Sequence, residues 1–596
     1  MRRAPLLRVL GTLGLVLAML ARVLRAPLSA LPGFPNIDLW DTVMLRGVVA
    51  DLLTHPATVP DSPAIFFPTG YPVLQLTPNL LDHLTGAPLA WALPFPLSDS
   101  LWWLLVLLAD GLAAHRLGRR LGGSEGAGWL ATVAVLLSEP LAREANLHHA
   151  PQAMIFWAPL LVLTLLDLRE RPSARLAVAA GAILALGSLS YWYLGLFLGL
   201  GCMPLLWSIP ARYLSMFGTT TAALAAPALA PLLLSWGHIP LTAGAQAPPA
   251  MDLPAGLSAL GSKEAFVAWH GNDPLFWLRR TPMDTSNRIS LVVLLAAVLG
   301  ARRSPRGQRR AFTWMVGLGA VMLLGPVLLW RGELVTVAGH PVILPFQWLR
   351  DLHPFLARLT WPERWGVLVS LGLACLAARA PRPGTLALLA AVESFALSAN
   401  LPLQATDLRS QTCQAALAPR SSADRGAILE LPLKRPGLLA TRPGVHRRLS
   451  RRLMVNAILL PPGATPPADW LRWQQDQPLL QAIAALEEGH WPADPGAAAV
   501  EQLRQAGVAA IVLDTDPGAV QTRGGLNRHR AGLIRLLGPP VDLGCALVWW
   551  LSTEAPAPVG LTDGDTWREQ AWQWKQSHPQ TIPETLIQPT RERGGW

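Results

Sequence analysis

The sequence predicts a mainly α-helical fold. A polytopic membrane domain of about eleven spans over residues 1–402 is followed by an α/β domain over 403–596. Three observations carry this. Only 15% of the 596 residues are charged and 51% are hydrophobic, with a mean hydropathy of +0.33, whereas a soluble domain carries about 25% charged residues. Apolar runs recur along the first two thirds of the chain. The basic residues, almost all Arg, sit in short clusters between those runs, as a membrane topology signal does. The formal net charge is +11, but no basic patch or binding motif accompanies it, so nothing supports a nucleic-acid partner. Four cysteines exclude a disulfide-rich scaffold.

The first apolar run, 5–24, follows Arg2 and Arg3. A secretory signal begins in the same way, but the length of the run and the runs after it favour an uncleaved helix. The others lie near 101–118, 127–139, 153–168, 174–190, 191–209, 214–235, 287–301, 311–330, 364–379 and 384–401. With the N-terminus inside, the inner loops carry Arg116, Arg119 and Arg120; Arg169, Arg171 and Arg175; Arg212; Arg302, Arg303, Arg306, Arg309 and Arg310; and Arg379 and Arg382. The loop 140–152 falls outside with only Arg143. One missed or invented span breaks this pattern, so the number of crossings is odd. The N-terminus is then cytoplasmic, and residues 403–596 lie in a bacterial periplasm or its equivalent.

Three outer loops, 25–100, 236–286 and 331–363, are long. Loops of that length are usually functional, so the chemistry is expected on the outer face. No GxxxxGK[ST] occurs, so there is no sign of an ATP-driven pump. In the C-terminal part, AILELPL (427–433), VAAIVLD (508–514) and ALVWWLS (546–552) read as strands. PLLQAIAALEEG (478–489) and AAAVEQLRQAG (497–507) read as helices, the second ending on Gly507. Cys413 and Cys545 both fall there, either as a disulfide or as two free buried thiols.

The first outer loop contains GFPNIDLWDTVMLRGVVADLLTHP (33–56), in which Asp41, Met44, Leu45, Val48, Val49 and Leu52 follow helical spacing. A helix starting at Asp38 places Asp38 and Asp41 one turn apart on a shared face. Two such carboxylates can hold a metal or supply a general base. Equally, Asp38 can cap the helix and Asp41 complement its dipole. SPAIFFPTGYPV (62–73) reads as a structural turn at Pro68-Thr69-Gly70. The outer segment FVAWHGNDPLFWLRR (266–280) sets Trp269 and Trp277 beside His270, Asn272 and Asp273; that suits a sugar, and equally an interfacial belt. Asp110 and His115 lie inside the second span, where ionisable groups are functional suspects or packing partners.

In order, the DxxD pair after the first span, the aromatic-Pro-x-Gly turn, EANLHHAPQAMIFWAPLLVLTLL (144–166), SLSYWYLGLF (188–197), RLTWPERWGVLVSLGLACLAA (358–378) and the strands AILELPL and GVAAIVLD resemble the GT-C glycosyltransferases. The likeness covers most of the chain. It departs where Arg46, Gly47 and Val48 stand in place of the Trp residues usual after the acidic pair, and at Tyr71-Pro72.

The resemblance implies an inner-membrane enzyme that takes a sugar, hexosyl or pentosyl, from a polyprenyl-phosphate donor. The acceptor, a glycan, lipid or protein, comes from the outer face, and the anomeric carbon inverts. Asp38 or Asp41 is then the base on the acceptor, with Asp38 nearer the span end. Carboxylates beside lipid have raised pKa values unless paired, which improves them as bases. The resemblance assigns no certain cofactor; DxxD is not the DxD of some metal-dependent members, and Mg or Mn at Asp38 and Asp41 stays open. The anionic lipid phosphate calls for a cation, and Arg364 and Arg358 are so placed, unless Arg364 only snorkels. His148, beside His149, is a candidate for phosphate or acceptor, Glu144 for a second acidic group, and Trp269 and His270 for the sugar. A transporter or flippase for a lipid-linked glycan is the competing reading, although no internal repeat is seen. A non-catalytic assembly protein for an envelope glycan is another, although both aspartates are present.

Overall fold

The computed structural model describes residues 3–35, 37–54, 61–62, 71–72, 80–237, 277, 287–331, 333–353, 356–408, 417, 426–431, 433, 455, 467–514, 523–543 and 546–551. The chain opens with α1 (Arg3–Met19), β1 (Ala30–Pro32), α2 (Ile37–Thr54), the two-residue strands β2 (Asp61–Ser62) and β3 (Tyr71–Pro72), and α3 (Leu80–Ala92). Then come α4 (Leu97–Gly122), α5 (Glu125–Leu136), α6 (Glu139–Asn146), α7 (Ala150–Ala153), α8 (Trp157–Glu170), α9 (Ala174–Ser190), α10 (Trp192–Gly201), α11 (Met203–Leu206) and α12 (Ala211–Gly237). After α13 (Leu291–Arg303) and α14 (Arg306–Leu323), a small hairpin group holds β4 (Leu329–Trp330), β5 (Glu333–Leu334), β6 (Thr336–Val337) and β7 (His340–Pro341). α15 (Pro345–Asp351), α16 (Gly366–Ala377), α17 (Pro383–Leu397) and β8 (Ala405–Asp407) complete this part.

Each apolar run of the sequence holds a helix. Leu97–Gly122 and the stretch Ala150–Glu170 are long and apolar enough to cross a bilayer by themselves; α5, with 12 residues, is shorter than the about 20 that a full crossing needs. The 311–330 run differs from a single span. Its helix stops at Leu323, Gly325 takes φ +86° before Pro326, and Leu329–Trp330 is a strand. Proline cannot continue a helix, and glycine supplies the left-handed turn.

Small residues let the helices approach closely. A Cβ on Gly118 of α4 would lie 2.4 Å from the Ala127 carbonyl of α5, and one on Gly300 of α13 would lie 2.0 Å from the Leu376 carbonyl of α16. Such contacts are the usual device where lipid removes the hydrophobic drive between helices. Ser124 caps α5 by accepting from Ala127 N–H, which closes the α4–α5 hairpin at Gly123.

The remaining elements are β9 (Ala427–Leu431), α18 (Ala468–Gln475), α19 (Pro478–Glu487), α20 (Ala497–Gln505), β10 (Val508–Asp514), α21 (Arg523–Leu537), β11 (Val541–Asp542) and β12 (Ala546–Trp550). They form a four-stranded sheet of order β11-β12-β10-β9, with β10 parallel to β9 and antiparallel to β12. Leu429, Ile511, Leu513 and Leu547 pack there with Leu480, Ile483 and Leu533 of the helices. Gly507, at φ +91°, ends α20 and admits β10. Cys413 and Cys545 lie outside the described residues.

Three separated stretches are knotted together. β1 pairs antiparallel with β8, Ala30 opposite Asp407. Buried Asn146 donates to the Asn400 carbonyl at 2.7 Å, and its Oδ1 accepts from Gln404 N–H at 2.6 Å. Its carbonyl accepts from Phe34 N–H at 2.9 Å. Gly33 is required here: it has φ +101°, and a Cβ would come within 2.8 Å of the Asn146 carbonyl.

Overpacking a helix contact costs about 1–3 kcal/mol, so Gly300→Leu is expected to lower the melting temperature by several degrees in detergent and broaden the size-exclusion peak. Gly317→Ala on α14, where nothing lies within 4 Å of the added Cβ, is the control and is expected to leave both unchanged or slightly improved.

Candidate active site

The strongest convergence of polar groups lies where α6 meets the turn Pro362–Trp365 and the start of α10. The turn is set by its own sequence. Pro362 starts it, Trp365 is buried against Phe197 with ring centroids 4.2 Å apart, and Gly366 lets the backbone pass Pro140. Arg364 is thereby held in a fixed place. Its Nη1 donates to the Tyr191 hydroxyl at 2.7 Å, and the guanidinium lies 5.5 Å from the Tyr191 ring centre and 5.2 Å from that of Trp361.

Arg364 Nε stands 4.0 Å from Glu144 Oε1. Glu144 also accepts from Arg143 Nη2 at 2.6 Å, and its other oxygen meets His149 Nδ1 at 2.5 Å. Arg143 Nη1 donates to Asn287 Oδ1 at 3.0 Å. These groups border a cleft of about 390 Å³ lined by Arg143, Glu144, Gln152, Tyr191, Phe197 and Arg364. Arg364 Nε is buried and makes no hydrogen bond among the described residues.

Burial alone would raise the Glu144 carboxyl, but Arg143, His149 and Arg364 outweigh it and hold the group below the ordinary carboxylate range. Glu363 goes the other way. Burial pushes it up to about 7 against the pull of Arg143 and Arg364, with Glu144 adding to the rise. Two neighbouring carboxyls driven apart in this way are one charged, one able to carry a proton near neutrality.

A second apolar cleft, of about 630 Å³, shares Ser138 and Pro140 with the first. It runs between α5, α13, α14 and α16 past Val133, Leu137, Val293, Leu323, Val369 and Leu373, with Asn287 and Arg288 also in its lining.

A second buried charge cluster holds α2 in place. Arg46 is fully buried, donates from Nη1 to Asp99 Oδ1 of α4, and stacks 4.1 Å over the Trp102 ring. Gly86 of α3 makes room: a Cβ there would lie 2.2 Å from Arg46 Nε. Trp102 Nε1 donates to Thr85 at 3.1 Å. Asp82 and His83 are buried beside this pair. Burial pushes the Asp82 carboxyl up to about 7, against the pull of Arg46.

Asp38 and Asp41 both fall in α2, within its first turn and a half; their side chains lie outside the described residues. Arg358 ends the 3-10 turn Leu356–Arg358, and its side chain too lies outside them, as do Trp269 and His270 altogether. Arg364 is at the cleft. His148 is turned away from it, at φ +57°. Its Nδ1 meets the Pro32 carbonyl at 2.6 Å and its Nε2 accepts from Trp103 Nε1 at 3.2 Å, so both ring nitrogens are committed to the fold. Its neighbour His149 backs Glu144 instead. Among the described residues no group of three or more His, Cys, Asp or Glu is gathered for a metal. Sequence reasoning passed over Arg143, Tyr191 and Glu363. The available signals were opposite charges side by side at Arg143-Glu144, and an acidic residue directly before the Arg364 span entry.

No protein-family model matches the chain, and no curated protein matches it. Solved structures do. The mycobacterial arabinofuranosyltransferase AftD aligns with 89% of this chain at a TM-score of 0.51 and 17% identity; the match spans 37% of the AftD chain. ArnT from Cupriavidus metallidurans, solved with undecaprenyl phosphate, aligns with 93% of this chain and 99% of its own at 0.40 and 12%. The Archaeoglobus fulgidus oligosaccharyltransferase, tethered to an acceptor peptide, aligns with 89% and 71% at 0.40 and 11%. Over the aligned length the chain shares the fold of AftD.

Asp82 has a raised folded-state pKa, about 7 against 3.8, so the folded state binds its proton more tightly. Its contribution to stability is greatest below pH 3.8, is lost as pH rises to about 7, and then levels. Asp82→Asn is expected to melt with wild type at pH 4 and increasingly above it up to pH 7. An equal gain at pH 5 and pH 8 would contradict the assignment.

Proposed function

We propose that the protein is an integral membrane glycosyltransferase that moves a sugar, with inversion, from a polyprenyl-phosphate donor to an acceptor at the outer face of a bacterial inner membrane. The observation that carries this reading is the cleft at Arg364. A fixed guanidinium, a second arginine and a paired carboxylate surround a space of about 390 Å³, next to an apolar cleft that suits an isoprenoid chain. AftD, whose fold the chain shares, is an arabinofuranosyltransferase.

The chemistry asks for charge stabilisation at the leaving group. As the acceptor hydroxyl attacks the anomeric carbon, the bond to the lipid phosphate breaks and negative charge grows on its oxygen. Arg364 supplies the cation, held by Tyr191 so that little reorganisation is needed. Glu144 keeps Arg143 and His149 in place. The acceptor proton passes to Asp38 or Asp41, at the start of α2. The Arg46–Asp99 pair anchors α2 on the helix Leu97–Gly122.

The test uses the full chain in nanodiscs with a panel of hexosyl and pentosyl polyprenyl phosphates, reading polyprenyl-phosphate release and the anomeric configuration of the product. Arg364→Gln is expected to slow release by about 10²–10³-fold, the usual loss for one transition-state donor. One of Asp38→Asn and Asp41→Asn is expected to abolish turnover with folding intact. Wild-type rates in both would remove the α2 carboxylate from the mechanism, and a retained configuration would remove single-step inversion.

A further inference from the structure

The outer segment between α14 and Arg364 is amphipathic in the wrong sense for water. On α15 and its first flanking residue, Trp348 and Leu352 are one turn apart and 61% and 74% exposed. On the opposite face Phe346 and Arg350, also one turn apart, are 0% and 5% exposed. A helix facing water buries its apolar pair and solvates its arginine. Here the arginine is inside, donating to Gln347 Oε1 at 2.8 Å and to the Ala357 carbonyl at 3.3 Å, and the tryptophan and leucine point out. The preceding hairpin repeats this, with Trp330 and Ile343 exposed.

We infer that α15 and this hairpin form a membrane-seated platform whose Trp348–Leu352 face lies in the outer headgroup–acyl boundary of the bilayer. Continuity identifies the occupant as lipid. α15 packs on α14, whose last turn exposes Val321. The platform begins a few residues after that helix and leads directly into α16, so both its ends are pinned at the outer ends of apolar helices. Tryptophan is the residue of that boundary. Exposed Asp351 and His353 flank the apolar face on the side where headgroups and water begin. The platform also leads to the cleft: Arg350 binds the Ala357 carbonyl, and Arg364, which lines the cleft, follows 14 residues after Arg350. Seating α15 in the boundary therefore sets the depth at which Arg364 is presented. This inference rests on the membrane fold and not on the transferase reading.

Site-directed spin labelling tests it. Trp348→Cys and Leu352→Cys, with Glu333→Cys as a polar reference, are made in the full chain carrying Cys413→Ser and Cys545→Ser. Each is labelled with a nitroxide in phosphatidylcholine–phosphatidylglycerol vesicles and read for collision with oxygen against a water-soluble nickel chelate. The expected result is an oxygen-to-nickel ratio severalfold higher at 348 and 352 than at 333. A ratio equal to that at 333 places the face in water and overturns the inference. Low access to both reagents means that protein covers the face, a further segment or a second copy, and overturns it too. Should Trp348→Cys not fold, Leu352→Cys alone decides.

Discussion

Asn146 is the side chain on which the junction of the first and last helices of the bundle depends. It is fully buried, and through its amide and its backbone carbonyl it joins Phe34, Asn400 and Gln404. These residues follow the first apolar helix and the last one before the α/β part. Asn400 extends the join to Glu139 at 2.8 Å, and His148 adds Pro32 and Trp103. In a low dielectric each such bond is strong, and an orphaned partner is costly. The knot therefore sets where α2 begins and how α6 is presented, before any substrate is considered.

Buried charge is the second organising theme. Arg46 with Asp99, and Arg143 with Glu144, are taken out of water only in the company of their counterions. A buried pair adds little net stability over an apolar replacement, yet breaking one partner away costs about 3–5 kcal/mol. Such pairs make sense as registers. Arg46 fixes α2 against α3 and α4 at one depth, with Gly86 shaped to its side chain. Glu144 fixes two cations beside one cleft.

The two clefts differ in chemical character and meet along one border. One is rimmed by arginine and aromatic hydroxyl groups, and the other is lined mostly by aliphatic side chains, with Ser138 and Pro140 common to both. The α15 platform bears on the same place from the lipid side. Charge and apolar shape are thus supplied by different parts of the chain that meet near the Pro362–Trp365 turn.

The sequence by itself determined the helical membrane architecture, the apolar runs and the strands at 427, 508 and 546. Each rests on composition, period and turn residues, which act locally. It also singled out Arg364, because a cation at the entry of an apolar run is visible in one dimension. It could not separate His148 from His149. Adjacent residues look alike until the backbone at His148 turns left-handed, giving one ring to Pro32 and Trp103 and the other to Glu144. Nor could it find that Tyr191 pairs with Arg364 or that Arg143 shares Glu144 with it: Tyr191 precedes Arg364 by 173 residues, and only helix packing brings them together. Periodicity reports which face of an element is buried. Which buried charges meet is decided by tertiary structure, because pairing depends on distances that no local pattern encodes.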